Sequence, residues 1–265
     1  MIYKLSRRKF LIVAGSLAAS ALLSGKVARA VTKTPEERAK ELSKYLWGMV
    51  VDVEKCTECV EKLIEEKGTE DVEPPCVVAC RRENNVPKFE DKRITPQWIK
   101  IIKVRGKFEG SPTYYFPILC NHCENPPCVQ VCLVQASFKR EDGIVLIDMH
   151  RCIGCRYCMV ACPFNSRNFN FKEPLEGLEY INPEVPRRTK GVVEKCTFCV
   201  HRINRALIEG KEPVPACVEA CPNEALVFGN LKDPNSKISK IVSASKVHRL
   251  REWLGTEPKV YYVNL

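Results

Sequence analysis

The chain has no apolar stretch long enough to span a membrane. Its longest, Phe10 to Leu23, holds 14 residues, against the ~20 of a spanning helix. Basic Lys26 and Arg29 close it off. There is no Gly-rich phosphate loop, no nucleophile–base pair and no pair of carboxylates in a catalytic setting, so nothing supports an enzyme acting alone. Histidine is scarce: His122, His150, His201 and His248 are all there is among 265 residues. His122 stands between Cys120 and Cys123, where a place beside the ligands, or in solvent, fits better than ligation.

Basic residues are not lacking, and the formal charge is +10. Six of the basic residues fall within positions 1–30, which carry no acid; without them 36 basic residues face 32 acidic ones. The excess therefore belongs to a terminal segment, and no nucleic-acid partner is expected. In that segment SRRKFL precedes an Ala- and Leu-rich run, and ARA follows at Ala28–Ala30. Basic, apolar, then A-x-A is the order of a secretory signal peptide. Arg7–Arg8 with Phe10–Leu11 resembles the twin-arginine signal. The expectation is a signal over 1–30, export by the twin-arginine pathway, and a place on the periplasmic or extracytoplasmic face, peripheral to the membrane. An uncleaved signal serving as an anchor is the other reading.

Cysteine is abundant: sixteen residues, about 6% of the chain. They fall into four sets. Set one is Cys56, Cys59, Cys76 and Cys80 (C-x2-C-x16-C-x3-C). Set two is Cys120, Cys123, Cys128 and Cys132 (C-x2-C-x4-C-x3-C). Set three is Cys152, Cys155, Cys158 and Cys162 (C-x2-C-x2-C-x3-C), followed by Pro163. Set four is Cys196, Cys199, Cys217 and Cys221 (C-x2-C-x17-C-x3-C), followed by Pro222. Set three reproduces the bacterial ferredoxin run. Zinc ribbons favour a second C-x2-C, whereas every set here ends in x3. A zinc-stabilised binding or assembly module is the alternative from another class. Disulfides are disfavoured by the same spacing. Export does not restore them, because the twin-arginine route is associated with proteins folded around their cofactor beforehand.

Four [4Fe–4S] clusters need sixteen thiolates, and sixteen are present. No iron is left open for substrate, which favours electron relay over catalysis. In two-cluster ferredoxins the fourth cysteine of each run crosses to the other cluster. Applied here, site A takes Cys56, Cys59, Cys76 and Cys221, and site B takes Cys196, Cys199, Cys217 and Cys80. Site C takes Cys120, Cys123, Cys128 and Cys162, and site D takes Cys152, Cys155, Cys158 and Cys132. The octapeptides VEKCTECV (Val53–Val60) and VEKCTFCV (Val193–Val200) match at seven of eight positions across an offset of 140. Sets one and four then form an outer module by duplication, with sets two and three nested inside. Lys55 and Lys195, one in each copy, either tune a cluster by charge or are solvated.

PILCNHCENPPCVQVC, GIVLIDMHRCIGCRYCMVACPF, GVVEKCTFC, PACVEACPNEALVFGNLKDPNSKISK and LGTEPKVYY resemble the motifs of the four-cluster iron–sulfur subunits of the DMSO/polysulfide reductase class. That class includes formate dehydrogenase beta, NrfC-like, HybA-like and PsrB-like subunits. The likeness runs from about Trp47 to Tyr262; the Val60–Pro75 insertion departs from it. It implies an integral NrfD-type quinone-reactive membrane partner and a further redox subunit: a cytochrome c, a Dsr-type subunit or a molybdopterin subunit. The twin-arginine signal and the lack of a C-terminal membrane helix point to the DsrO-type subunit of the sulfate-reducer Dsr complex. The alternative is the iron–sulfur subunit of a molybdopterin oxidoreductase linked to polysulfide, nitrite or formate.

The expected fold is α+β, with two ferredoxin-like dicluster modules related by a pseudo-two-fold axis. Residues 31–112 and 173–265 make the outer module, and 113–172 the inner one. Thr34–Trp47 reads as helix, Trp98–Gly106 and Thr113–Leu119 as paired strands, and Gly143–Asp148 as a strand. Ser245–Leu254 reads as a helix with Val247, Leu250 and Leu254 on one face.

Overall fold

The computed structural model describes residues 34–108 and 110–265; the signal read over 1–30 lies outside them. The fold is mixed α+β. Helices are α1 (Pro35–Leu42), α2 (Val53–Lys67), α3 (Pro75–Glu83), α4 (Pro127–Gln130), α5 (Tyr157–Val160), α6 (Val200–Glu209), α7 (Ala216–Glu219) and α8 (Lys237–Ala244). Strands are β1 (Trp47–Asp52), β2 (Ile99–Arg105), β3 (Thr113–Leu119), β4 (Ser137–Lys139), β5 (Val145–Ile147), β6 (Asn168–Phe169), β7 (Val193–Glu194), β8 (Leu226–Asn230) and β9 (Val260–Val263). Among the described residues no helix is long and apolar enough to cross a membrane.

One sheet joins the two ends of the described chain. Its order is β8-β1-β9, with β1 antiparallel to β8 and parallel to β9. The pairs β2–β3, β4–β5 and β6–β7 are separate antiparallel ribbons. Beneath the sheet the core mixes ordinary apolar side chains with ligand-type ones. Trp47, Met49, Val51, Phe228, Val260 and Tyr262 share one buried cluster with Cys76, Cys80, Cys120, Cys196 and Cys217.

Helix α2 runs where capping allows it. The Asp52 side chain accepts from the Lys55 N–H, and left-handed Gly68 ends the helix by donating to the Ile64 carbonyl. Val53, Cys56, Thr57 and Val60 form its buried stripe at helical spacing. Thr57 Oγ1 then accepts from the Tyr115 N–H at 3.0 Å, which docks β3 on the helix. Much of the Val60–Pro75 insertion is thus simply the extension of this helix.

Three expectations change. The helix expected over Thr34–Trp47 stops at Leu42, and Trp47 opens β1, buried between Tyr45 and Phe228 in a ring stack. The helix expected over Ser245–Leu254 is not formed. His248 pairs instead with Tyr262 beside the sheet, and Glu252–Leu254 make only a 3-10 turn. The helix lies earlier, at α8, because the Ser236 side chain caps it by accepting from Ser239 N–H. The duplicated octapeptides also differ. The first is helical throughout α2, whereas the second is strand β7 and then a loop in which Phe198 and Cys199 hold positive φ.

Candidate metal centre

Two pairs of short helices organise the cysteines. Helix α3 holds Cys76 and Cys80 one turn apart, and it packs on α7, which holds Cys217 just before Cys221. Helices α4 and α5 pair likewise, with Cys128 and Cys158 inside them and Cys132 and Cys162 just beyond. Residues four apart point along one face of a helix but at different heights. Each helix of a pair therefore presents one thiol to its own loop and the next to its neighbour's.

The resulting neighbourhoods cross between sets. Burial pushes the Cys56 thiol up, and Cys76, Cys221 and Cys59 push it further. Burial likewise raises Cys76 to about 12, with Cys221 and Cys59 adding to it. Cys80, on the same helix, has other neighbours: burial raises it, then Cys196, Cys217 and Cys199. Cys123 is raised to about 12 by burial, with Cys120 the next cause and Cys128 and Cys162 also adjacent. Cys120, Cys123, Cys128 and Cys162 line one void. Cys132, Cys152, Cys155 and Cys158 line another.

Donor chemistry and spacing fit iron–sulfur cubes. The thiols of sites C and D line voids, and a cube takes one thiolate at each of four separate corners. The raised thiols hold their protons until a cation replaces them, so loading releases protons. Cys132 shifts the other way. Burial pushes it up, but the backbone N–H groups of Ser137, Val134 and Ala136 outweigh this and lower it.

The sites follow one another in space. Cys76 of A is among the charges that raise Cys80 and Cys217 of B. Cys120 of C adds to burial in raising Cys196 of B to about 12. Between those two loops the His122 ring stacks on Phe198 with centroids 3.8 Å apart, and His122 Nδ1 accepts from the Val145 N–H. His122 is therefore a buried spacer between B and C, not a solvent group. Arg167 stands between C and D, donating to Cys128 Sγ at 2.9 Å. At the far end Cys155 is exposed, and around it Ile153, Tyr157, Leu133 and Val160 are exposed too, Val160 by 88%.

The two lysines of the octapeptides part company. Lys55 is exposed, while Lys195 is buried and donates to the carbonyls of Val145 and Cys196. Asn84, which sequence reasoning passed over, donates to Cys199 Sγ at 3.4 Å. Arg167 was passed over as well. A lone arginine five residues beyond Cys162 carries no signal in a single sequence; only its burial reveals it.

Residues 112–231 match the family model of the 4Fe-4S dicluster domain. The chain is 59% identical to the Hdr-like menaquinol oxidoreductase iron-sulfur subunit 1 of Archaeoglobus fulgidus, over 98% of each chain. It is 38% identical to the menaquinone reductase iron-sulfur cluster-binding subunit of Nitratidesulfovibrio vulgaris, over 83% of this chain and 89% of that one. With Protein NrfC of Escherichia coli K12 it shares 37% identity over 97% of this chain and 95% of the relative.

Proposed function

The chain belongs to the iron–sulfur subunits that carry a 4Fe-4S dicluster domain, and from that premise we propose that it relays electrons along four [4Fe–4S] clusters held at sites A, B, C and D. When bound, such clusters supply one-electron oxidation and reduction at potentials set by their surroundings. Cys56, Cys59, Cys76 and Cys221 would hold the cluster at A, Cys196, Cys199, Cys217 and Cys80 that at B, Cys120, Cys123, Cys128 and Cys162 that at C, and Cys152, Cys155, Cys158 and Cys132 that at D. The observation that carries this reading is the grouping of sixteen thiols into four rings, each closed by a cysteine from another set. Two nested modules with approximate two-fold symmetry are supported by the paired helices α3–α7 and α4–α5, although the octapeptides themselves do not obey the symmetry.

The protein's own side chains do the remaining work. Trp47, Met49 and Val51 keep water from the outer sites. Asn84 and Arg167 donate to ligand sulfurs and so favour the more negative, reduced state. The apolar side chains around Cys155 form an exposed patch of the kind that marks a partner surface. That patch supports docking, at the D end, on an integral quinone-reactive subunit of the NrfD type. The relatives named for menaquinol and menaquinone favour this partner. We place the chain with the DsrO-type subunits, exported by the twin-arginine pathway and peripheral on the outer face.

Iron and sulfide analysis of the anaerobically purified protein tests the cofactor, with about sixteen irons per chain expected by the ligand rule. Zinc in place of iron at sites A and B would overturn it. Cell fractionation and gentle solubilisation of native membranes test the rest. The expected result is co-purification with a multi-span subunit, and loss of export when Arg7 and Arg8 are both changed to Lys. A chain recovered alone from the cytosol contradicts this placement.

A further inference from the structure

Among the described residues, several buried or half-buried cations are paired with a carboxylate. Arg188 Nε lies 2.5 Å from Glu194, Arg140 lies 2.5 Å from Asp142, and Lys259 lies 2.9 Å from Glu124. Arg167 is only 2% exposed, yet among the described residues no carboxylate lies within ion-pair reach of it. An isolated buried charge is strongly disfavoured, so something else must compensate it.

The compensating groups are sulfurs. Arg167 Nη2 donates to Cys128 Sγ of site C at 2.9 Å, and the residue lines the void of that site. Arg167 Nη1 donates to Ser137 Oγ at 2.8 Å, and the Ser137 backbone N–H donates to Cys132 Sγ of site D at 3.3 Å. Cys158 of site D is a second neighbour across the same gap. One guanidinium thus stands between two sets of four thiolates, with its fork divided between them. Lys195, the other buried cation nearby, donates to the Val145 and Cys196 carbonyls, not to sulfur.

We infer that Arg167 is a shared counter-charge that raises the reduction potentials of the two inner clusters together. The inference rests on the four-cluster reading above. Each added electron makes its site more negative, and a fixed positive charge in a medium of low dielectric stabilises that state. Because the charge lies between C and D, it acts on both; sites A and B are held by other residues and lie beyond it.

The experiment is a redox titration of the full chain, followed by EPR, with iron content measured on every sample. Parent iron near sixteen per chain tests the four-cluster reading separately. In Arg167→Gln two of the four reduction steps are expected to become harder by about tenfold in equilibrium constant, about 59 mV for one electron. The other two stay in place. Arg167→Lys keeps the charge and is expected to hold both steps within about threefold of the parent. No shift in Arg167→Gln at parental iron content overturns the inference. So does a uniform shift of all four steps, or an Arg167→Lys variant that shifts as far as Arg167→Gln. Should Arg167→Gln fail to load its inner clusters, a loaded Arg167→Lys with parental potentials sustains the charge role. Failure of both to load assigns Arg167 to packing alone and overturns it.

Discussion

At the residue scale the cysteines are not equivalent, and sequence neighbours are often not site neighbours. Cys217 and Cys221 are four apart, yet Cys217 is raised by burial and then by Cys199 and Cys196, while Cys221 acts on Cys56, Cys59 and Cys76. Two substitutions in one site share their damage, whereas two in different sites add. Cys56→Ser and Cys221→Ser are therefore expected to alter the same EPR signal, with the double variant little worse than either single one. Cys196→Ser and Cys221→Ser are expected to alter two different signals. Additivity in the first pair and overlap in the second would refute the crossed ligation.

At the element scale, near-identical sequence gives unlike structure. Asp52 before the first octapeptide and a Glu- and Lys-rich continuation after it make a capped helix. In the second copy Lys195 is drawn inward to the carbonyls of Val145 and Cys196, and Phe198 turns under His122. Those tertiary contacts override helix propensity, which is a fraction of a kcal/mol per residue. The loop of set three depends on a single small residue. Gly154 holds φ +69°, and a Cβ there would overlap the Gly191 carbonyl oxygen and press on Phe169. Gly154→Ala is expected to strain or displace the segment between Cys152 and Cys155. Iron analysis should find about four irons fewer than in the parent, by the four-iron rule for such sites. Full iron content with an unchanged spectrum would show that the loop yields without cost.

At the scale of the whole molecule, the two ends of the described chain are tied by the β8-β1-β9 sheet, and α3 is tied to α6 by a charged clamp. Glu83, at the end of α3, accepts from Arg202 Nη2 at 2.7 Å and Nε at 2.8 Å, and it lies 2.6 Å from His201 Nε2. The Arg202 guanidinium, with His201 and against the push of burial, holds the Glu83 carboxyl down at about 2, from 4.5. A depressed carboxyl stabilises the fold above the unfolded value and loses that contribution as pH falls from 4.5 toward 2. Glu83→Gln is thus expected to bleach faster than the parent at neutral pH, with the two rates converging as pH drops through this window. A ratio of rates independent of pH would assign the clamp no electrostatic role.

The cofactor class was legible in the sequence because its chemistry is local. Set three carries its spacing within eleven residues, Cys152 to Cys162, and a cluster imposes that spacing on any chain that binds it. The strands at Thr113–Leu119 and around Val145 were legible for the same reason, since alternation and turn residues act over short range. The mixed α+β character followed from those short elements. Other features needed the fold. The pairing of α3 with α7 joins residues more than a hundred positions apart, and no local pattern encodes which helix meets which. The C-terminal helix was misplaced because Val247, Leu250 and Leu254 mimic a helical face, although pairing of His248 with Tyr262 claims that backbone. The exposure of Lys55 and the burial of Lys195 are opposite outcomes for the same residue in nearly the same octapeptide. Arg167 is ordinary as a letter and distinctive only when buried without a carboxylate. The sequence by itself determined how many thiols there are and what they bind, because ligand identity and spacing are properties of short segments. Only the tertiary structure decided which helix packs on which and which charges face the thiols, because burial and long-range packing set both.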